Sequence, residues 1–202
     1  MKKRIFLLSL LTALTLLLLA SCSAKSSTVV IPYGEDGKYT GFSNIPENYT
    51  YEAALDDGCV GINTSTVGIN EHGVAQRASL ADGGESFFEF AERAGKGRDA
   101  FVRVAHFIDG TGYYYDLYYC NGKYTIFALN EYGISDGESY SLLRRLEGLA
   151  GPPAAQKEDI YYVLTDSTEL TYHDVSWSFL SSDSRTVTKI PFKWLGFMIY
   201  FE

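Results

Sequence analysis

The clearest match to a catalytic sequence pattern in this chain lies around Ser135. Residues 133–137 (Gly-Ile-Ser-Asp-Gly) match the G-x-S-x-G pattern, in which a tight turn between a strand and a helix presents a nucleophilic serine. A triad also needs an acid and a histidine, and Asp159 or Asp166 and then His173 follow in a suitable chain order. The pattern therefore supports a serine hydrolase as one hypothesis.

The same serine also has a structural interpretation. Ser135 and Glu138 are three residues apart, just before a leucine-patterned segment, as in a capping box that begins a helix. A nucleophile elbow belongs to a parallel sheet, whereas the strand before Ser135 is predicted to lie in a hairpin meander that needs no crossover. Helix capping is the favoured interpretation, so no catalytic residue is assigned and Ser135 is kept as an alternative.

The histidines and cysteines do not form a metal-binding pattern in the sequence. His72, His106 and His173 occur in none of the short spacings that hold a metal, and there is no Cys-x-x-Cys. His106 falls within a predicted strand beside apolar residues, where a histidine packed in the core is the favoured interpretation. We therefore expect neither a metal nor another cofactor.

The first 22 residues have the pattern of an export signal that ends in a modified cysteine. A basic start (residues 2–4) precedes an apolar run over residues 5–19 that is too short to cross a bilayer comfortably. Small residues then lead to Cys22, a junction that resembles the lipobox of bacterial lipoproteins, whose cysteine accepts a diacylglycerol. Two acyl chains give durable anchoring. The pattern predicts a signal peptide over residues 1–21 and attachment to the extracytoplasmic face of the cell membrane through Cys22. An ordinary signal peptide or an N-terminal membrane helix is the alternative.

The chain that remains after removal of the signal peptide is acidic and contains two cysteines besides Cys22. Removal of the signal peptide would change the net charge from -8 to about -11, which argues against nucleic acid as a partner. Cys59 and Cys120 remain once Cys22 is lipidated. Outside the cytoplasm they are able to form a disulfide, although two separate buried thiols are the favoured alternative.

Hydrophobic patterning predicts an α+β domain over residues 47–202, preceded by a lipidated cysteine and flexible tether over residues 22–46. We expect an antiparallel β-meander of about four to six strands, packed by three or four helices on one face. Strands are predicted at residues 60–63, 67–70, 101–108, 113–120, 123–129, 160–165 and 192–201. Helices are predicted at residues 49–57, 86–94 and 137–149, the second beginning with a Ser86–Glu89 capping box. Residues 171–180 fit either a helix or a strand.

Tyrosines are concentrated in the second strand of the predicted meander. Strand alternation places Tyr114, Asp116 and Tyr118 on one face and Tyr113 and Tyr115 on the other. Antiparallel sheets commonly leave one face in water, so the first group predicts an exposed binding surface for a protein, peptide or glycan. Cross-strand aromatic packing that only stabilises the sheet is the favoured alternative.

Four short pieces of the sequence resemble a group of known proteins. They are Phe-Phe-Glu-Phe at 87–90, Gly-Arg-Asp at 97–99, Val-Arg-Val at 102–104 and Asp-Leu-Tyr-Tyr at 116–119. Together they resemble small lipoproteins of unknown function typical of Gram-positive (Firmicutes) gut bacteria. The resemblance implies a secreted, anchored α+β domain with no assigned reaction. A non-enzymatic binding module is the leading hypothesis, and a hydrolase or a structural envelope lipoprotein without a ligand are the alternatives.

Overall fold

A computed structural model describes residues 29–70, 73–78, 80–181 and 188–200 of the chain, with mixed helix and strand content dominated by strands. The predicted signal peptide, Cys22 and His72 lie outside these residues. In chain order the elements are α1 Tyr51–Asp56, β1 Val60–Asn70, β2 Gly73–Ala78, α2 Glu85–Gly95, β3 Ala100–Ile108, β4 Thr111–Cys120, β5 Lys123–Asn130, β6 Gly133–Ile134, β7 Glu138–Tyr140, β8 Leu142–Ala150, β9 Lys157–Thr165, α3 Tyr172–Leu180, β10 Phe192–Trp194 and a 3-10 helix Gly196–Tyr200. No helix within the described ranges has the length and apolar character needed to cross a bilayer.

The larger sheet contains the predicted meander. Its strand order is β2-β1-β3-β4-β5-β6, and β7 pairs with β5 as well. Strands β3, β4 and β5 are consecutive and antiparallel, as predicted, whereas β1 and β3 are parallel and are connected through α2. The turn between β4 and β5 has positive φ at both Asn121 and Gly122, the backbone that a two-residue hairpin with the right twist requires. Asn and Gly adopt positive φ readily, so this pair favours the hairpin from local sequence alone.

The smaller sheet overturns the prediction of a helix at residues 137–149. Its strand order is β10-β9-β8, and β8 pairs with β9 along nine consecutive residues, from Leu142 to Ala150. The leucines fit a helical period, but Leu146 is buried by packing against strand β9 and helix α3 rather than by a helical face. The predicted Ser135–Glu138 capping box is wrong for the same reason, because Glu138 begins strand β7.

Both faces of the larger sheet are covered. One face packs against the smaller sheet and α2, whose Phe87, Phe90 and Ala94 are buried in this inter-sheet core. The opposite face packs against α1 and residues 29–49, which we call the covering segment, and this outer core contains Tyr39 and Phe42. A third cluster lies between the smaller sheet and α3. The three described helices thus contribute to three different clusters, so helical packing on one face is not confirmed.

The covering segment corrects two sequence-based expectations. Tyr114, Asp116 and Tyr118 are 6%, 0% and 4% exposed, so the prediction that they form a solvent-exposed binding surface is wrong. They are buried because the covering segment, with Tyr39 and Phe42, lies over their face of the sheet. The predicted flexible tether also extended too far, since residues 29–46 include part of this buried core.

Several helix ends differ from the predicted ones. Helix α1 begins at Tyr51, after a Thr50 cap, rather than at residue 49. Gly84 precedes α2 without a side-chain cap, so the predicted Ser86–Glu89 capping box is wrong. Residues 172–180 form a helix, because Thr171 and Asp174 satisfy each other's backbone donors in a capping box. The last predicted strand is shorter than expected, as β10 ends at Trp194 and a 3-10 helix follows.

Candidate ligand-binding cleft

An open cleft of about 730 Å³ lies at the start of strand β3, and we call it the Arg103 cleft. Five parts of the chain line it: the covering segment, the α1–β1 loop, helix α2, the first residues of β3, and Tyr118 of β4. The volume lies within the range of sites that hold small molecules or short polymer segments. Its lining comprises Pro32, Gly41, Asn44, Tyr49, Asp57, Gly58, Cys59, Ser86, Glu89, Phe90, Arg93, Ala100, Phe101, Val102, Arg103 and Tyr118.

Arg103, in the lining of the cleft, forms a buried ion pair with Asp116. The two residues are directly opposite each other in the β3–β4 register. Arg103 Nε donates to Asp116 Oδ1 at 2.6 Å, and Nη2 donates to Oδ2 at 2.6 Å. Two parallel bonds between a planar guanidinium and a carboxylate fix both orientation and distance. The Asp116 side chain is fully buried and that of Arg103 is only 14% exposed.

Neighbouring groups hold the pair in place. The backbone oxygen of Gly41 accepts a third bond from Arg103 Nη2 at 2.6 Å, and the Phe42 ring lies 5.3 Å from the guanidinium carbon. The Tyr39 hydroxyl donates to Asp116 Oδ2 and is 2.9 Å from the Tyr118 hydroxyl. These contacts leave one part of Arg103 unused: Nη1 bonds to no described residue and is not buried. Arg103, which lines the cleft, therefore keeps a guanidinium N–H donor without a partner among the described residues.

The electrostatics of this network keep Tyr39, Tyr118 and Arg103 protonated near neutral pH. Burial, and then the hydrogen bond to Asp116, raise the pKa of Tyr39 far above its ordinary value. Burial raises the pKa of Tyr118 to about 12, so both phenols keep their protons. Burial alone would lower the pKa of Arg103, but hydrogen bonding and the charge of Asp116 outweigh it and raise that pKa. Arg103 therefore keeps its positive charge.

The wall of the cleft at the start of β1 contains a cysteine and a tyrosine. Burial raises the pKa of the Cys59 thiol, although Tyr49 and Arg103 act in the opposite direction. The Tyr49 hydroxyl donates to Asp57 Oδ2 at 2.7 Å and lies 3.9 Å from Cys59 Sγ. Because the thiolate is the reactive form, a protonated Cys59 is a poor nucleophile. Cys59 and Cys120 are both free thiols, so the alternative of a disulfide between them is not realised in the structure.

Helix α2 and the first residues of strand β3 form the rim of the cleft. Ser86, Glu89 and Arg93 are spaced three and four residues apart, which places them on one side of the helix. Arg93 Nη2 donates to the backbone oxygen of Asp99 at 3.0 Å, which ties the helix to the start of β3. The Phe101 ring is 43% exposed and lies 4.7 Å from the Tyr118 ring. The rim therefore combines both charge signs with an exposed aromatic face.

Comparisons with known proteins do not extend this description. The chain matches no protein-family model, and no curated protein or solved structure is detectably similar to it.

Ser135 lies apart from the Arg103 cleft, in a smaller pocket of about 260 Å³ lined by Tyr33, Lys38 and Phe127 among others. Its hydroxyl oxygen accepts a hydrogen bond from the Ala128 amide at 2.9 Å, and its own amide donates to the Ala128 oxygen at 2.8 Å. No helix follows it, because strand β7 begins at Glu138. Ser135 thus extends the pairing along β5 and does not occupy a nucleophile elbow.

The other members of the predicted triad are also engaged elsewhere. Asp166 accepts from the Ser141 amide at 2.8 Å, and Asp159 accepts from the Tyr172 hydroxyl at 2.8 Å. The His173 ring packs against Trp177 at 5.6 Å. The structure therefore does not bring the predicted Ser-Asp-His set together.

His106 occupies the core, as its sequence position indicated. It is buried, and its Nε2 lies 2.8 Å from the Thr64 hydroxyl. Burial lowers its pKa, which favours the neutral ring. Among the described residues, no group of three or more His, Cys, Asp or Glu side chains is arranged to hold a metal ion.

Sequence reasoning missed Arg103 as a site residue, although a signal existed. Arg103 and Asp116 are each charged and lie within strands that are otherwise apolar or aromatic. The Asp109-Gly110 turn sets the hairpin register, and that register places the two charges opposite each other. Two opposite charges at facing positions of a buried hairpin indicate an internal ion pair.

Proposed function

We propose that this chain is an extracytoplasmic lipoprotein, held to the cell membrane by a lipid on Cys22, that binds a ligand in the Arg103 cleft. The observation that carries the binding proposal is the fixed guanidinium of Arg103, which lines an open cleft and whose Nη1 bonds to no described residue. Asp116, Gly41 and Phe42 already hold Arg103, so a ligand that accepts from Nη1 need not immobilise a flexible side chain. The basic, apolar and small-residue pattern before Cys22 supports the anchor.

The side chains of the cleft favour binding over covalent catalysis. An activated nucleophile needs a lowered pKa or an adjacent base, whereas burial raises the pKa of Cys59. The Tyr39 hydroxyl is engaged with Asp116, and the Tyr118 hydroxyl is engaged with Tyr39. What the described residues offer to a ligand is a set of hydrogen-bonding groups and an aromatic face.

The anchor is tested by metabolic labelling with radioactive palmitate and by detergent phase partitioning. The full chain should incorporate label and enter the detergent phase, and Cys22→Ala should do neither because the acceptor sulfur is absent. Cys59→Ala is the matched control and should retain both label and partitioning. Equal labelling of the parent and Cys22→Ala would contradict the anchoring part of the proposal.

The cleft is tested with the full lipoprotein in detergent micelles. The probes are an array of random hexapeptides and the tetrasaccharides of glucose and of N-acetylglucosamine. At least one probe should bind, and Phe101→Ala should weaken that binding. Phe88→Ala is the control, because Phe88 is similarly exposed at 48% but is not part of the cleft lining. If Phe101→Ala weakens the binding of none of these probes, the proposed binding function is overturned.

A further inference from the structure

The floor of the Arg103 cleft is an unpaired strand edge. Strand β3 pairs with β4 along its whole length, from Ala100 to Ile108. On its other side β3 pairs with β1 only from Val104 onward, where Val60 is its first partner. Residues 100–103 therefore extend past the start of β1, and their outer backbone edge has no strand partner in the described part of the chain.

The layers on the two faces of the sheet convert this edge into a groove. Ala100 and Val102 are buried toward helix α2, whereas Phe101 and Arg103 lie on the side of the covering segment. Both layers contribute to the lining, and the α1–β1 loop closes one end with Asp57, Gly58 and Cys59. The groove is therefore as long as about four residues of extended chain, or about 13 Å.

An open edge of this kind is well matched to a peptide. Unpaired N–H and C=O groups of a strand accept another extended chain, whose backbone supplies the affinity and whose alternate side chains supply the specificity. A sugar has no repeating backbone of donors and acceptors with the strand repeat. The edge thus favours a peptide over a glycan in the same cleft.

The side chains along the groove limit the charge of that peptide. Arg103 is neutralised by Asp116, so the remaining charged residues in the lining are Asp57, Glu89 and Arg93, with one net negative charge. A polyanionic segment would be repelled, whereas one acceptor group is able to face Arg103 Nη1. On the α2 side, Ser86 and Glu89 form no side-chain hydrogen bond to another described residue. They remain able to bind a polar or basic side chain.

We propose that the Arg103 cleft binds a segment of about four residues of an extended peptide, which pairs with residues 100–103 as an added strand. The segment has low net charge, directs an acceptor group toward Arg103 and directs a polar or basic side chain toward Glu89. This inference rests on the proposed binding function and names its ligand class.

The experiment uses the full lipoprotein in micelles with the hexapeptide array, and it takes the strongest-binding hexapeptide forward. Amide hydrogen exchange should slow at those amides of residues 100–103 that point away from β4 when this peptide binds, because the added strand pairs with those groups. Methylation of alternate peptide nitrogens should weaken binding about tenfold or more, since it removes donors from the added strand. Unchanged exchange at residues 100–103 in the bound state would overturn strand addition.

Matched variants separate side-chain contributions from folding. Phe101→Ala should weaken peptide binding about tenfold and Phe88→Ala should not. Glu89→Gln should weaken a hexapeptide with a basic residue about fivefold, whereas Glu92→Gln, on the exposed side of the same helix, should not. Arg103→Lys should also weaken binding about fivefold, because lysine has no guanidinium and therefore no counterpart of the Nη1 donor. An unchanged affinity in both Phe101→Ala and Glu89→Gln would contradict the assignment.

The outcomes for ligand class and for binding function are distinct. Binding of a tetrasaccharide that depends on Phe101, with no binding of any hexapeptide, would overturn the peptide inference and leave the binding function standing. Absence of Phe101-dependent binding by every probe would overturn both. Binding of hexapeptides with slowed exchange at residues 100–103 would support both.

Discussion

Arg103 and Asp116 face each other across strands β3 and β4, and two hydrogen bonds of 2.6 Å join them beneath the cleft. A buried pair of this kind gains its attraction only after both charges have lost their hydration, so its net contribution to stability is small. Its importance here is positional, because the fully buried carboxylate fixes where the guanidinium lies. The consequence is that removal of either partner leaves a charge that the surrounding residues cannot solvate.

Replacement of Arg103 by methionine tests this dependence. Asp116 would remain buried without its cation, and breaking such a pair costs about 3–5 kcal/mol. We expect the free energy of unfolding, measured by urea titration with fluorescence detection, to fall by that amount. The double variant Arg103→Met with Asp116→Asn should recover part of the loss, because no unpaired charge remains.

Lys96→Met is the control for the Arg103 variant. Lys96 pairs with Glu92 on the exposed surface of α2, where both side chains are more than half exposed. Exposed pairs contribute little, so its unfolding midpoint should barely change. Equal losses in Arg103→Met and Lys96→Met would contradict the role assigned to burial.

Tyr39→Phe removes a single hydroxyl from the same network. Tyr39 donates to Asp116 Oδ2, and its ring stacks on Phe127 at 3.7 Å, so the ring packing is preserved in the variant. Loss of a hydrogen bond to a charged group costs about 1.5–3 kcal/mol. Urea unfolding should show a loss of that size. Tyr33→Phe is the control, since Tyr33 is 54% exposed, and a comparable loss there would argue against the network.

Local patterns were sufficient to predict the central hairpins. The Asn121-Gly122 turn and the β-branched segments around it are determined by neighbouring residues, and strands β3, β4 and β5 form at nearly the predicted positions. The segment from Leu142 to Ala150 was mistaken because its leucines also fit a helical period. Its partner β9 decides the conformation, and that partner is a separate strand that the leucine spacing does not reveal.

The candidate site shows the same division between local and distant information. Alternation correctly grouped Tyr114, Asp116 and Tyr118 on one face of β4, but it did not reveal what covers that face. Tyr39 reaches Asp116 across 77 residues of sequence, and the covering segment has no regular pattern. Contacts between residues far apart in the sequence decide whether a sheet face is exposed to solvent or buried. The exposure of these residues was therefore predicted wrongly.

Gly148→Ala should destabilise the packing of α3 on the smaller sheet. A methyl group at this position would overlap the ring of Tyr172. That ring is unable to move freely, because it stacks on Tyr161 at 5.0 Å and its hydroxyl donates to Asp159 at 2.8 Å. Overpacking of this kind costs about 1–3 kcal/mol, which urea unfolding should reveal.

Gly95 provides the control, because the same substitution there is expected not to lower stability. Gly95 ends helix α2, has open space where a methyl group would lie, and has no positive φ. Alanine favours helix more than glycine does, so Gly95→Ala should leave stability unchanged or raise it by up to about 1 kcal/mol. A loss at Gly95 equal to that at Gly148 would show that contact with Tyr172 is not the cause.

The pH dependence of stability should depend on His106. Burial lowers the pKa of this histidine below its ordinary value of 6.5 in the folded chain. Below about pH 6.5 the unfolded chain therefore binds a proton that the folded chain resists, and the free energy of unfolding falls as the pH is lowered. The free energy of unfolding keeps its full value above about pH 6.5. The decrease continues until the pH reaches the lower pKa that His106 has in the folded chain. Urea unfolding at a series of pH values from about 7.5 to 5.5 should show this decline, and His106→Gln should reduce its slope. Identical slopes in the parent and in His106→Gln would exclude His106 as the cause.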